Sequence, residues 1–422
     1  MSRLLAVLML VCLISASPAA AQAPREWTVM CYFVSDDNKD ASLEESQVKN
    51  IDELSSRGSG AGYDLVVQVD RSNKISDYLR SRYADPDYSG AKRYHIERDK
   101  WAVQAKLGEV NMGDPKSLLD FMTWAAAAYP AKHYLLLINS HGSGTLSWRG
   151  PGSTADAQPG RVVLPVNRYV AYDDTDDDCL TVFELATVLE QFALQERRPK
   201  LDILALDSCL AASIEALHQL KDGVDLLVAS EATVPGHGFR YTSIVDSVAA
   251  GAAPEALAGV ITKSFIERAG APNVLGAFRT SVAEDLTRAV SKLARELYVA
   301  GKELGKVGVR DLTNFGDNYW DLERIAGSIA HGGSNATSAA NGAEVLRLAK
   351  EVLALLKQSR VSLWYSGDYA KEEVGGLSIL WPGADAYRKY RAFYKATGFA
   401  RAGLWDEFLD WRELGMEAPA GQ

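Results

Sequence analysis

A chain of 422 residues has room for one large or two modest domains around a substantial core. Hydrophobic residues make up 47% of it and charged residues 24%, the balance of an ordinary soluble globular protein. The net charge of −10 argues against nucleic-acid phosphates and anionic membranes as partners.

Arg3, the apolar run 4–14 and the small residues 15–21 have the layout of a secretory signal peptide, and the run is too short to span a bilayer. Ala19 and Ala21 fit the small-x-small cleavage rule, so residues 1–21 are expected to be removed. The mature protein is then secreted or periplasmic, with no stable membrane association. It keeps Cys31, Cys179 and Cys209, an odd number that leaves at least one thiol unpaired in an oxidising compartment.

From 27–34 the residues read as a strand, and from 41–56 as an amphipathic helix. A second strand covers 63–70, and 78–98, with its Asp-Pro-Asp-Tyr-Ser-Gly turn, reads as a hairpin at a sheet edge. Pro115 opens a helix to residue 129, strand 134–139 follows, and a helix starts near Thr181. Next come strand 201–206, a helix from Leu210 and strand 226–230. Strands alternating with helices predict a mostly parallel α/β sheet covered on both faces. Between 149 and 168 a Gly-, Pro-, Ser- and Ala-rich stretch reads as a long exposed loop. Beyond residue 251 the pattern is helical (254–268, 281–304, 343–359), broken by a short strand at 376–381. The expected organisation is therefore signal peptide 1–21, core 26–250 and a mainly helical region 251–422 that completes the molecule.

Two strands share one design. Tyr134-Leu-Leu-Leu-Ile-Asn-Ser-His141-Gly142 ends in a histidine and a glycine; Leu201-Asp-Ile-Leu-Ala-Leu-Asp-Ser-Cys209 ends in a cysteine. Ligands of an open parallel sheet sit at the carboxyl ends of its strands, so an imidazole and a thiol are expected side by side there. A helix opening at Cys209 would favour its thiolate, and a nearby imidazole would favour it further. That is an activated nucleophile. A cysteine phosphatase would carry Arg six positions after the cysteine; Glu215 stands there instead.

With these segments the sequence resembles the clostripain-type cysteine peptidases of the caspase-like superfamily. The likeness rests on Trp27-Thr-Val-Met, Asn139-Ser-His141-Gly142-Ser-Gly, Tyr172-Asp-Asp-Thr and Leu206-Asp-Ser-Cys209-Leu-Ala. Ser230-Glu231, Pro235-Gly236-His237-Gly238 and Gly375-Gly-Leu-Ser-Ile extend it. The resemblance implies a caspase-like fold, a His141–Cys209 dyad acting on protein or peptide substrates, and an oxyanion hole made by the amides of Gly142 and Cys209. It also implies cleavage after Arg or Lys. Asp207, two residues before Cys209 and on the same side of its strand, is the candidate partner for a basic side chain. The loop 235–238 is expected to border the same pocket, where His237 would add pH dependence.

No cofactor is required by this chemistry, although calcium is associated with the family. In the acidic run, Asp173, Thr175, Asp177 and Glu184 hold EF-hand positions one, three, five and twelve, but Asp178 occupies the glycine position. The stronger reading of Thr181-Val-Phe-Glu184 is a capping box that opens a helix. Two other functions stay open: a catalytically silent caspase-like binding protein of the cell envelope, and a related peptidase with non-basic specificity. Arg149, Arg161 and Arg168 in the exposed loop make self-cleavage at 149–168 a further expectation.

Overall fold

In β1 (Arg25–Val34), successive side chains enter two separate apolar clusters: Met30, Tyr32 and Val34 join one, Val29, Cys31 and Phe33 the other. A strand buried on both faces has no polar side to show, which is why this segment is a continuous apolar run. The computed structural model describes residues 24–35, 42–71, 89–142, 169–270, 272–316 and 318–417. The expected signal peptide and the 149–168 loop lie outside them.

In chain order the remaining strands are β2 (Tyr63–Arg71), β3 (Gly90–Glu97), β4 (Lys100–Gly108), β5 (Ala131–Asn139), β6 (Tyr169–Asp173) and β7 (Asp178–Thr181). They continue with β8 (Leu201–Asp207), β9 (Val224–Ala229), β10 (Val274–Arg279), β11 (Asn314–Phe315), β12 (Tyr319–Asp321), β13 (Arg360–Tyr365) and β14 (Ser378–Leu380). Nine of them form one sheet in the order β13-β10-β9-β8-β5-β1-β2-β3-β4. Its centre, from β2 to β9, is parallel, and an antiparallel pair extends each edge. β6 and β7 form a separate hairpin, and β11, β12 and β14 a small second sheet.

Helices Ser42–Ser55, Tyr241–Ala249 and Pro254–Ala269 cover the face that receives Cys31. Pro115–Ala128, Val182–Gln195, Ile214–Leu220, Ala283–Leu304 and Gly342–Ser359 cover the other. The expected capping box is present: Thr181 accepts from the Glu184 amide, while the Glu184 carboxylate accepts from the Thr181 amide. Among the described residues no helix is long and apolar enough to cross a membrane.

The structure corrects three expectations about elements. The edge hairpin is β3–β4, turning at Arg98–Asp99 with Asp99 at φ 54°, so its turn lies later than the Asp-Pro-Asp-Tyr-Ser-Gly signal. Two strands of the C-terminal region, β10 and β13, join the main sheet; each is short and sits in a mixed environment without clean alternation. The helix expected at Leu210 begins at Ile214.

Candidate active site

β5 and β8 are neighbours in parallel register, from Leu135 opposite Ile203 to Asn139 opposite Asp207. His141 and Cys209 each follow two residues beyond that last pair, so the two strand ends place them at the same level. Gly142 closes the approach. A Cβ there would lie 2.7 Å from the Cys209 amide nitrogen and 2.5 Å from its carbonyl oxygen, separations that real side chains do not tolerate. Only glycine lets the chain leaving β5 lie against the backbone of Cys209.

Cys209 is partly exposed, and its Sγ accepts a hydrogen bond from the Val234 amide at 3.3 Å. Burial pushes its thiol up, the Val234 backbone pulls it down, and the nearby Asp207 raises it again. The segment after Cys209 is not helical. Leu210 has φ 57°, its amide donates to the Ala232 carbonyl at 2.9 Å, and the Ala212 amide donates to Ser230 at 2.9 Å. The helix starts at Ile214, capped by Ser213, so the dipole assistance expected for Cys209 from a helix opening at that residue is not available. The same segment is braced from far along the chain: Ser378 donates through its amide (3.2 Å) and hydroxyl (2.9 Å) to the Ala212 carbonyl, and Leu380 donates to Glu215 at 2.9 Å.

Asp207 follows Ile203 and Ala205 on the face that receives Cys31, and it is only 3% exposed. Its Oδ2 accepts from Asn139 Nδ2 (2.7 Å), the Tyr241 hydroxyl (2.7 Å) and the Phe239 amide (3.0 Å). Its Oδ1 is buried and takes no hydrogen bond among the described residues. Burial pushes the carboxyl up to about 6, opposed by the Phe239, Tyr241 and Asn139 donors and by Arg268. Gly238, at φ +62°, meets the Asp207 carboxylate so closely that any side chain would collide with it.

Gly238 thus brings the 235–238 loop against Asp207. His237 is half-buried, and burial followed by nearby Arg268 pushes its imidazole below the ordinary range, against the pull of Glu53. Arg268 pairs with Glu53 at 2.8 Å and donates to the Phe239 carbonyl at 2.7 Å, which anchors this loop to helix Ser42–Ser55. Burial therefore favours the neutral form of His237.

The acidic run does not form an EF-hand loop. Residues 174–177 are the turn of the β6–β7 hairpin. Asp173 accepts from the amides of Met112 (2.8 Å), Thr175 and Asp176 (both 3.1 Å), and Asp177 accepts from the Tyr172 hydroxyl at 2.6 Å. Glu184 belongs to the capping box. No group of three His, Cys, Asp or Glu side chains that could hold a metal ion occurs among the described residues. Cys179 is buried in the hairpin, and Cys31, buried under Asp207, has a thiol pushed far up by desolvation.

Residues 31–411 match the model of the clostripain family, Peptidase_C11. The chain belongs to the clostripain family. Clostripain of Hathewaya histolytica is 29% identical over 248 residues; the match covers 53% of this chain and 42% of that protein, so the chain spans less than half the length of this relative. The fold is similar to that of an inactive zymogen C11 protease from Parabacteroides distasonis, with TM-score 0.61, 16% identity, and 90% of this chain and 99% of that chain covered. It is equally similar to a secreted C11 cysteine protease from Bacteroides thetaiotaomicron solved with an irreversible peptide inhibitor, with TM-score 0.59, 17% identity and the same coverage. At these identities the likeness shows the fold, a mixed α/β architecture with a large central sheet flanked by helices.

Several residues of this clostripain-family site carry no local sequence signal. Val234, Tyr241 and Arg268 reach it from segments whose own patterns are those of a loop and two ordinary helices. Glu231, two residues beyond β9, is buried and hydrogen-bonded to Asp321, which caps helix Leu322–Ala330. Burial pushes both carboxyls up, Asp321 to about 6 and Glu231 well above its ordinary value. The Gly375 and Gly376 amides donate to Asp321 (2.6 Å) and Glu231 (3.0 Å), so the Gly-Gly pair serves to join these two acids.

Proposed function

We propose that this chain is an exported cysteine endopeptidase in which Cys209 is the nucleophile and His141 its base. The observation that carries the reading is the contact of Gly142 with the Cys209 backbone at two paired strand ends. His141 takes the thiol proton, Sγ bonds to the scissile carbonyl carbon, and the amides of Gly142 and Cys209 face the oxyanion that develops. His141 then returns the proton to the leaving amine, and water releases the acyl group from Sγ. With burial and Asp207 both holding the thiol up, His141 has to do the work that a helix terminus does elsewhere. Asp207 is the acceptor for a substrate Arg or Lys through Oδ1, which takes no hydrogen bond among the described residues. Export is supported by the layout of residues 1–21.

A thiol-directed electrophile carrying a basic recognition residue tests the reading. Mass spectrometry should locate one adduct on Cys209. An unreacted protein would favour a silent binding protein of the same fold, and an adduct on Cys179 would refute the site.

The reading extends to self-cleavage within 149–168. Arg149, Arg161 and Arg168 are substrates of the expected kind. The stretch connects segments that hold each other: the Tyr172 amide donates to the Ser140 hydroxyl at 3.1 Å. A cut chain would therefore stay assembled through β5 and β6. Wild-type protein should purify partly as two associated fragments starting at Gln22 and within 150–169, and Cys209→Ala as one chain. Fully active wild type that stays intact would exclude this step.

A further inference from the structure

Asp207 sits in a closed hydrogen-bonded triangle. The Asn139 amide donates one hydrogen to Asp207 Oδ2 at 2.7 Å and the other to the Tyr241 hydroxyl at 3.2 Å, while Tyr241 donates to the same Oδ2 at 2.7 Å. The direction of each bond is fixed by its neighbours. Gln47 Nε2 donates to Asn139 Oδ1 at 2.8 Å, and also faces the Asn139 (3.0 Å) and Val34 (3.2 Å) carbonyls. An Asn139 flip would turn its carbonyl on the Asp207 carboxylate and its NH2 on the Gln47 NH2, so Gln47 holds the amide in the donating orientation. All four side chains lie in the buried interior at the carboxyl ends of β5 and β8.

We propose that Tyr241, with Asn139 held by Gln47, is the positioning device of the specificity carboxylate. It occupies Oδ2 with donors, favours the ionised form of a buried acid, and leaves Oδ1 for the cation of the substrate. The proposal rests on the reading that Asp207 receives that cation. Tyr241 acts through its hydrogen bond to Asp207.

The titratable groups on the elements around Asp207 are Cys31 on β1, Cys209 beyond β8, His237 in the 235–238 loop, Tyr241 on helix Tyr241–Ala249, and Arg268 on helix Pro254–Ala269, itself paired with Glu53. Burial and the adjacent carboxylate hold the Tyr241 phenol far above its ordinary range, so it stays a donor. Removing that donor raises the Asp207 carboxyl further, because a bond to the charged form is lost while burial is unchanged.

The experiment compares peptides with arginine or citrulline, its uncharged isostere, at the cleavage position. The ratio of their kcat/KM cancels steps common to both, including titration of the dyad. For the wild type this ratio should rise with pH through about 6 and level off. In Tyr241→Phe the midpoint should move up by about one unit, which lowers the ratio about five-fold at pH 6. Gln47→Leu, which leaves Tyr241 in place and frees the Asn139 amide to turn, should move it the same way and decides the matter if Tyr241→Phe does not fold. An unchanged midpoint in a folded variant would overturn the proposal. Equal loss of arginine and citrulline cleavage in Asp207→Asn would instead remove the reading beneath it.

Discussion

Cys209→Ala should abolish peptide-bond hydrolysis and leave the fold in place. The change removes the atom that bonds to the scissile carbon, together with one long hydrogen bond from the Val234 amide. The segment around it is held by backbone bonds from Leu210 and Ala212 that do not involve the side chain. A loss on the order of 10⁴–10⁶-fold in kcat is expected, because nothing nearby can replace the thiol. His141→Ala should lose about as much, and the double variant no more, since thiol and base act as one unit. Cys179→Ala should keep its activity. Initial rates on a basic peptide, with thermal melts as the fold control, would falsify the assignment if Cys209→Ala cleaved normally.

Asp207→Asn should separate substrates and spare the dyad. Asparagine can still accept the three donors at the Oδ2 position, but it presents an NH2 group where Oδ1, without a hydrogen bond among the described residues, stood as an acceptor. A cationic side chain then meets a donor in place of an acceptor. Removing one partner of a desolvated pair costs roughly 2–5 kcal/mol, or about 30- to several-thousand-fold in kcat/KM for arginine, with little change for citrulline. Destabilisation does not explain such a loss, since burial already disfavours the charge that the substitution removes. The pH dependence has a definite sign. The Asp207 carboxyl is raised to about 6, so cleavage after basic residues should weaken as pH falls through that value, while neutral-site cleavage follows the dyad alone.

Much of this was legible in the sequence because it is local. The apolar runs at β1, β5 and β8 fix strands buried on both faces, and the residues at their ends fix where His141 and Cys209 emerge. Thr181 and Glu184 announce a helix start through a side-chain pattern three residues long. What escaped depends on distant partners. Leu210 looks like the first residue of a helix, but its amide is claimed by Ala232 and its φ is positive. β10 and β13 are strands because each finds the other and β9 across the sheet edge, not because of their own periodicity. Asp207 was visible as a residue of β8 two positions before Cys209. Its three donors come from segments 139, 239 and 241, and no spacing rule joins them.

The brace on the Cys209 segment also sets when the proposed site can form. β5 and β8 are separated by about seventy residues of chain, and the Ala212 carbonyl beside Cys209 waits for Ser378, some 165 positions later. Contacts of such separation form late, because loop closure precedes their reward. A ribosome-bound or partly translocated chain that lacks β14 holds the thiol without the support that shapes its surroundings. In an exported peptidase of the kind proposed, competence would arrive near the end of synthesis, and the order of folding would itself delay proteolysis until export is nearly complete.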